Sequence, residues 1–361
     1  MATSLRPVIA SAANFRGYLH ANRWTLCVGA GISRNLAPSW FELSNLLVNE
    51  AFGVNLDAAT FARMSEESGW SLDGWIQASA NEFIRAGNSV EDFTALIESY
   101  LYAKIKEKAK GCKFEKHLPT VLNFPQNAPK DMTIDICDFL ESTFPTASVF
   151  AVGRFLIRSA KTERAPQAVI SFNADTFLET YIDLFLRREH YKGPEPHSHP
   201  KYYFSSIIRP VTETKKIPIF HCHGSITPFY KAGKNPYDSR DRLIFLEQEY
   251  LASSSNRASW AQTVFLFHAQ STKLAFCGLS MSDANIRRWM SAIEIEMQID
   301  MKRLSKGKIL NPEHIWIRPR PGTPDEEKVY LPSLLHLGVR PAWITNWGAL
   351  EAELANLAAV D

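Results

Sequence analysis

A chain of 361 residues with 45% hydrophobic and 22% charged residues has the composition of a globular protein with one large or two moderate domains. A formal net charge of +2 gives no electrostatic footprint for a phosphate backbone, so direct nucleic-acid binding is not expected. No apolar run approaches the ~20 residues of a membrane-spanning helix, and Met1 to Asn14 is too weakly apolar for a secretory signal, so a cytoplasmic location away from membranes is expected.

The first element is an apolar run, Trp24 to Val28, which meets Gly29-Ala30-Gly31-Ile32-Ser33 and then a helix-like pattern carrying Trp40, Leu43, Leu46 and Leu47. It reads as a strand that delivers a phosphate to a helix N-terminus. Gly29 and Gly31 have no β-carbon, so a pyrophosphate would reach backbone amides at the positive end of a helix dipole. The longer fingerprint GxGxxG is absent, and glycines also close ordinary strand-to-helix turns, so both readings stand at this point.

From Glu50 to Lys161 the patterns are mostly helical. The clearest helix starts at Ser89, an N-cap followed three residues later by Asp92, and places Phe93, Leu96, Ile97, Tyr100 and Leu101 on one face. The basic stretch Lys104 to Lys110 ends at Gly111 and reads as a solvated helix end.

Strand-like runs resume at Ala168 to Phe172, Ile217 to Cys222, Lys273 to Cys277 and His314 to Ile317, each followed by turn chemistry or a helix-like segment. A further apolar run, Pro341 to Ile344, and a closing helix, Gly348 to Leu357, complete the sheet edge. Strands alternating with helices predict an α/β fold, a parallel sheet covered by helices on both faces and interrupted by a mostly helical insertion. Ligands of such sheets bind beyond the carboxyl ends of the strands, so the polar residues just after these runs are the functional candidates.

Three such groups follow the glycine loop. In Ser171-Phe172-Asn173-Ala174-Asp175, Asp175 suits a helix N-cap, whereas Asn173 precedes the helix and has an amide suited to a sugar hydroxyl or a positioned water. In Phe220-His221-Cys222-His223-Gly224-Ser225, strand alternation puts His221 and His223 on one face; His223 is either a satisfied structural residue or a general base. In Gly278-Leu279-Ser280-Met281-Ser282-Asp283, Asp283 suits the N-cap of a long amphipathic helix, with Gly278 and Ser280 beside the first glycine loop.

The 5 cysteines lie far apart with no CxxC pair, which argues against a cysteine-held zinc site. Cys27, Cys222 and Cys277 sit in apolar runs and read as buried strand residues. His197 and His199 lie in a proline-rich stretch with no Cys or carboxylate spacing to complete a metal site.

In this order, GAGIS, FNAD, HCHGS and FCGLSMSD resemble the motifs of the sirtuin superfamily, and more closely those of the bacterial sirtuin-like NAD hydrolases of antiphage defence. Leu243 to Tyr250, LIFLEQEY, is similar to the segment that precedes the last motif. Leu36 stands where the family's turn has glycine, and Ala174 where it has an aromatic residue.

The resemblance implies a Rossmann-like catalytic domain over 1–49 and 162–361, with 50–161 as the helical insertion. It implies that Gly29, Ala30, Gly31 and Ser33 hold the dinucleotide phosphates, and that Asn173 and Asp175 face the nicotinamide ribose and carboxamide. It makes His223 the catalytic histidine beside Asn173, and puts Gly278, Ser280 and Asp283 on the adenosine side. NAD is then the substrate and no metal is required. Without the cysteines of a deacylase zinc ribbon, hydrolysis to nicotinamide and ADP-ribose is favoured over protein deacylation or ADP-ribosyl transfer, with a non-catalytic NAD or ADP-ribose sensor as the remaining alternative. Relatives of this kind work as oligomers with a separate activator, such as a HerA-type ATPase or a short Argonaute. The preference for NAD over NADP stays open.

Overall fold

The computed structural model describes residues 16–19, 23–193, 204–207, 216–229, 238–255, 259–304 and 314–360. His197 and His199, like Met1 to Asn14, lie outside the described residues. The first described elements are β1 (Trp24–Val28), a 3-10 turn (Ala30–Ser33) and α1 (Trp40–Phe52). Helices then follow without a strand: α2 (Ala58–Ser68), α3 (Leu72–Arg85), α4 (Val90–Leu101), α5 (Ala103–Ala109), α6 (Leu118–Asn123), α7 (Lys130–Thr143) and α8 (Ser148–Ser159). The second half alternates: β2 (Val169–Ser171), α9 (Phe177–Lys192), β3 (Phe204–Ile207), β4 (Ile217–His221), α10 (Glu247–Ser255), α11 (Trp260–Ser271), β5 (Lys273–Cys277), α12 (Ala284–Leu304), β6 (His314–Pro319), α13 (Pro324–Leu334), β7 (Val339–Ile344) and α14 (Leu350–Ala358).

The strands form one sheet of order β3-β4-β2-β1-β5-β6-β7, and every described pairing is parallel. This is the α/β, Rossmann-like architecture read from the sequence. Because successive strand side chains point to opposite faces, Val28, Val169, Ala275 and Ile317 enter one apolar core. Cys27, Ile170, Phe276 and Trp316 enter the other. Helices α8, α9 and α14 pack in the first, and α11 and α12 supply Phe265, Trp289 and Met290 to the second. Cys27, Cys222 and Cys277 are buried, and burial raises all their thiol pKa values.

Local signals explain the helix boundaries. Ser39 and Glu42 form a reciprocal capping box at α1, and Ser89 and Asp92 form the one expected at α4. Two expectations are corrected. The glycine loop does not open an α-helix: it turns through four residues of 3-10 helix, and α1 starts only at Trp40, behind its own cap. A turn so short has little dipole to offer an anion. Strand β3 was not expected, because Phe204-Ser205-Ser206-Ile207 is short, polar in the middle and paired only at the sheet edge.

Candidate functional site

One row of the sheet places every motif. Val28 lies opposite Ser171 on one side and Cys277 on the other, and Ser171 lies opposite His221. The parallel strands β4, β2, β1 and β5 therefore end level, and the residues after them leave from the same edge. From β1 the chain first builds outward through β2 and β4 and later returns to β5 on the other side, so β1/β5 is the topological switch where such sheets bind ligands.

At this edge Ser33, Asn173 and Asp175 converge, all buried. Ser33 Oγ donates to Asp175 Oδ1 at 2.9 Å and accepts from Asn173 Nδ2 at 3.2 Å. Asp175 Oδ1 also accepts from Phe177 N at 3.1 Å, but the N-cap of α9 is Thr176, without a side-chain cap bond, so Asp175 lies one residue before the expected cap position and turns inward to the cluster. Burial pushes its pKa up to about 6, against the opposing effect of these donors. Asn173 Oδ1 is buried and has no hydrogen-bond partner among the described residues. A buried acceptor left unpaired costs roughly 1–3 kcal/mol, so this oxygen calls for a donor from outside the chain.

The glycine segments pack against each other. Gly31 N donates to Gly278 O at 2.8 Å and Gly29 N to Cys277 O at 3.1 Å. A β-carbon at Gly31 would fall 2.7 Å from Gly278 O, and one at Gly278, where φ is +67°, would fall 2.6 Å from Ile32 N. The two glycine segments are thus cut to fit each other, and the contact locks the first motif to the last. The left-handed position in the turn that follows falls on Asn35, φ +79°, next to the buried Leu36.

Strand alternation does not carry His221 and His223 to a shared environment, because β4 ends at His221 and the next two residues turn. His221 Nε2 lies 2.9 Å from Glu179 Oε1 of α9, an ion-pair distance without hydrogen-bond alignment. Burial pulls the imidazolium pKa down, but Glu179 and then Asp175 outweigh it, and the net shift is upward. His223 is buried between the rings of Phe172, 5.0 Å away, and Tyr250, 5.4 Å away. Burial lowers its pKa and the charge of Asp283 partly restores it, so the ring is neutral and able to accept a proton at neutral pH. Gly224 follows at φ +74°, where a β-carbon would strike the Arg242 backbone.

Asp283 accepts from Ile286 N at 2.9 Å, the cap expected for α12. Ser280 is exposed and bonded to Ser282 at 2.7 Å. Ala30 is also exposed. Ser33, Asn173 and Asp175 therefore touch directly, His223 joins through Phe172 beside Asn173, and the Gly278 segment joins through the glycine contact.

Sequence reasoning passed over Tyr250, which closes the quoted LIFLEQEY segment, and Glu179, which lies one helical turn beyond Asp175. It also passed over Tyr102, the residue between α4 and α5, with no motif around it. A cavity of about 240 Å³ opens elsewhere, beside α9, lined by Asn123, Glu179, Asp183 and Lys216 among others. None of the motif residues is among its described lining. Among the described residues no group of three His, Cys, Asp or Glu is placed to hold a metal, and no helix is long and apolar enough to cross a membrane.

Residues 167–335 match the family model described as the SIR2-like domain. The match covers β2 to α13 and so includes Asn173, Asp175, His223, Gly278, Ser280 and Asp283, while the first glycine loop precedes it. It supports placing this chain in a sirtuin-like superfamily with an NAD-related function. A search of curated proteins found no match.

Proposed function

We propose that this chain is an NAD hydrolase that cleaves the bond between nicotinamide and ribose. The observation that carries the reading is the orphaned Oδ1 of Asn173, held beside Ser33 and Asp175 within a SIR2-like segment. It is an acceptor aimed at a water or a ribose hydroxyl. Asp175 and Ser33 would hold the carboxamide end, and the loops around Gly29 and Gly278 would border the phosphates and adenosine, contributing backbone shape rather than a helix dipole.

Breaking the C1′–N bond leaves positive charge on the sugar, as in glycoside cleavage. Asn173 orients a water toward C1′, and His223, neutral and held edge-to-face between two aromatic rings, takes its proton as the new C1′–O bond forms. Nicotinamide leaves with the bonding electron pair, and ADP-ribose with the water oxygen is the second product. In this reading residues 50–161 form an insertion, the chain assembles as a homo-oligomer, and NAD loss serves antiphage defence under a separate activator. Those last points rest on the motif resemblance.

The test is to incubate the purified chain with NAD over a range of protein concentrations, with and without a HerA-type ATPase, and to follow both products by chromatography. Nicotinamide and ADP-ribose in equal amounts, lost in Asn173→Ala and His223→Ala, are expected. Acyl-ADP-ribose or labelled protein would replace hydrolysis by deacylation or transfer. Tight binding with intact NAD under every condition would make the chain a sensor.

A further inference from the structure

The two loops that carry the motif chemistry are joined by a side chain from the helical region. Tyr102 stands between α4 and α5 and is fully buried, its ring edge-on to Phe177 with centroids 4.9 Å apart. Its Oη accepts from Thr176 N at 3.0 Å, contacts Thr176 Oγ1 at 3.2 Å and donates to Ile226 O at 2.7 Å. Thr176 follows Asp175 directly, and Ile226 lies three residues past His223. The two loops also touch through Ile226 N, which donates to Ala174 O at 2.7 Å. A single phenol oxygen thus takes one donor from the first loop and one acceptor from the second, beside the backbone bridge between Asp175 and Ile226.

A second grip comes from the last turn of α4. Glu98, one turn before Tyr102, pairs with Arg240 at 3.3 Å. Arg240 pairs in turn with Asp238 at 2.8 Å, and Asp238 accepts from Thr227 N at 2.9 Å. Tyr102 caps the C-terminus of α4, its N–H bonded to Glu98 O at 3.2 Å, so the end of one helix holds the His223 loop at two adjacent residues, Ile226 and Thr227.

We propose that Tyr102 is a positioning residue for the reaction, setting the spacing between the Asn173–Asp175 loop and the His223 loop from outside the SIR2-like segment. The proposal rests on the hydrolase reading for its kinetic consequence. The helical region is then part of the site's frame, and a displacement of α4 would move both loops together.

The variant to make is Tyr102→Phe, which keeps the ring against Phe177 and removes one oxygen. The control is Leu354→Val, a buried position of α14, which packs on α8. We expect kcat for NAD to fall more than tenfold in Tyr102→Phe with KM within threefold, and amide hydrogen exchange to quicken at 173–177 and 223–227 only. Equal activity loss in both variants at equal loss of Tm, or unchanged exchange in the two loops, would overturn the proposal. If Tyr102→Phe does not fold, Thr176→Val removes only the hydroxyl contact, and kcat should drop two- to fivefold at constant KM; an unaltered kcat would overturn it. A wild-type chain that binds NAD and releases no nicotinamide would sink the hydrolase reading alone, and the exchange data would still decide the role of Tyr102.

Discussion

Ser33 Oγ donates to Asp175 Oδ1 at 2.9 Å, joining two motifs 142 positions apart. The same hydroxyl accepts from Asn173 Nδ2, so it fixes the amide that leaves Asn173 Oδ1 pointing to an outside donor. Ser33→Ala would free both partners at once. Asp175 Oδ1 keeps Phe177 N, but Asn173 Nδ2 loses its acceptor and the amide is no longer fixed, so NAD affinity measured by calorimetry should weaken by about tenfold. An unchanged dissociation constant would show that the hydroxyl does not organise the site.

Asp175 is a source of instability at neutral pH. Burial raises its pKa to about 6, whereas an unfolded Asp titrates near ~3.9. The folded chain therefore binds more protons than the unfolded chain between those values, and stability is lost as pH rises through them. Some two units correspond to roughly 2–3 kcal/mol above pH ~6. Asp175→Asn keeps an oxygen for Ser33 and Phe177 N. Its Tm should exceed that of the parent at pH 8 and converge with it near pH 4, while nicotinamide release falls at least a hundredfold. A Tm gap that persists unchanged at pH 4 would mean that the carboxylate charge is not its cause.

The sheet was legible because its strands carry short runs of apolar residues that are buried on both faces, so Lys273 to Cys277 announces itself and the polar Ser205-Ser206 pair of β3 does not. The candidate site was legible where chemistry coincides with a strand end: Asn173, Asp175 and His223 follow directly from that placement. What stayed hidden depends on distant pairing. That Gly31 needs its missing β-carbon for Gly278 could not be read from either segment alone. Tyr102 looks in sequence like any aromatic on an amphipathic helix, and its phenol gains meaning only when α4 is set against two loops.

The interlocked glycines predict a steric result. A β-carbon at Gly31 would meet backbone atoms of Gly278 at 2.7 and 2.9 Å, which no side-chain movement relieves. Gly31→Ala should therefore lower stability by roughly 1–3 kcal/mol, the usual range for overpacking. Gly278→Ala should be worse, since its φ of +67° adds backbone strain. Gly322, with no neighbour within 4 Å and no positive φ, is the control and should tolerate alanine. Denaturant midpoints of the three variants decide the matter: similar midpoints would mean that the two segments can part without penalty.

Asp283 acts on His223 through charge. Its carboxylate raises a histidine pKa that burial has lowered, so removing the charge must lower that pKa further. Asp283→Asn is suitable because asparagine caps a helix about as well as aspartate, and Ile286 N keeps its acceptor. If His223 is the base, activity disappears as pH falls through its pKa, and the acid limb of kcat/KM should move to lower pH in Asp283→Asn. Asp175 also titrates on the acid side, but its pKa is set chiefly by burial and by its hydrogen bonds to Phe177 N and Ser33, so a moving limb belongs to His223. A limb that stays in place would assign the acid-side loss to Asp175, whose protonation removes the charge that holds the carboxamide end.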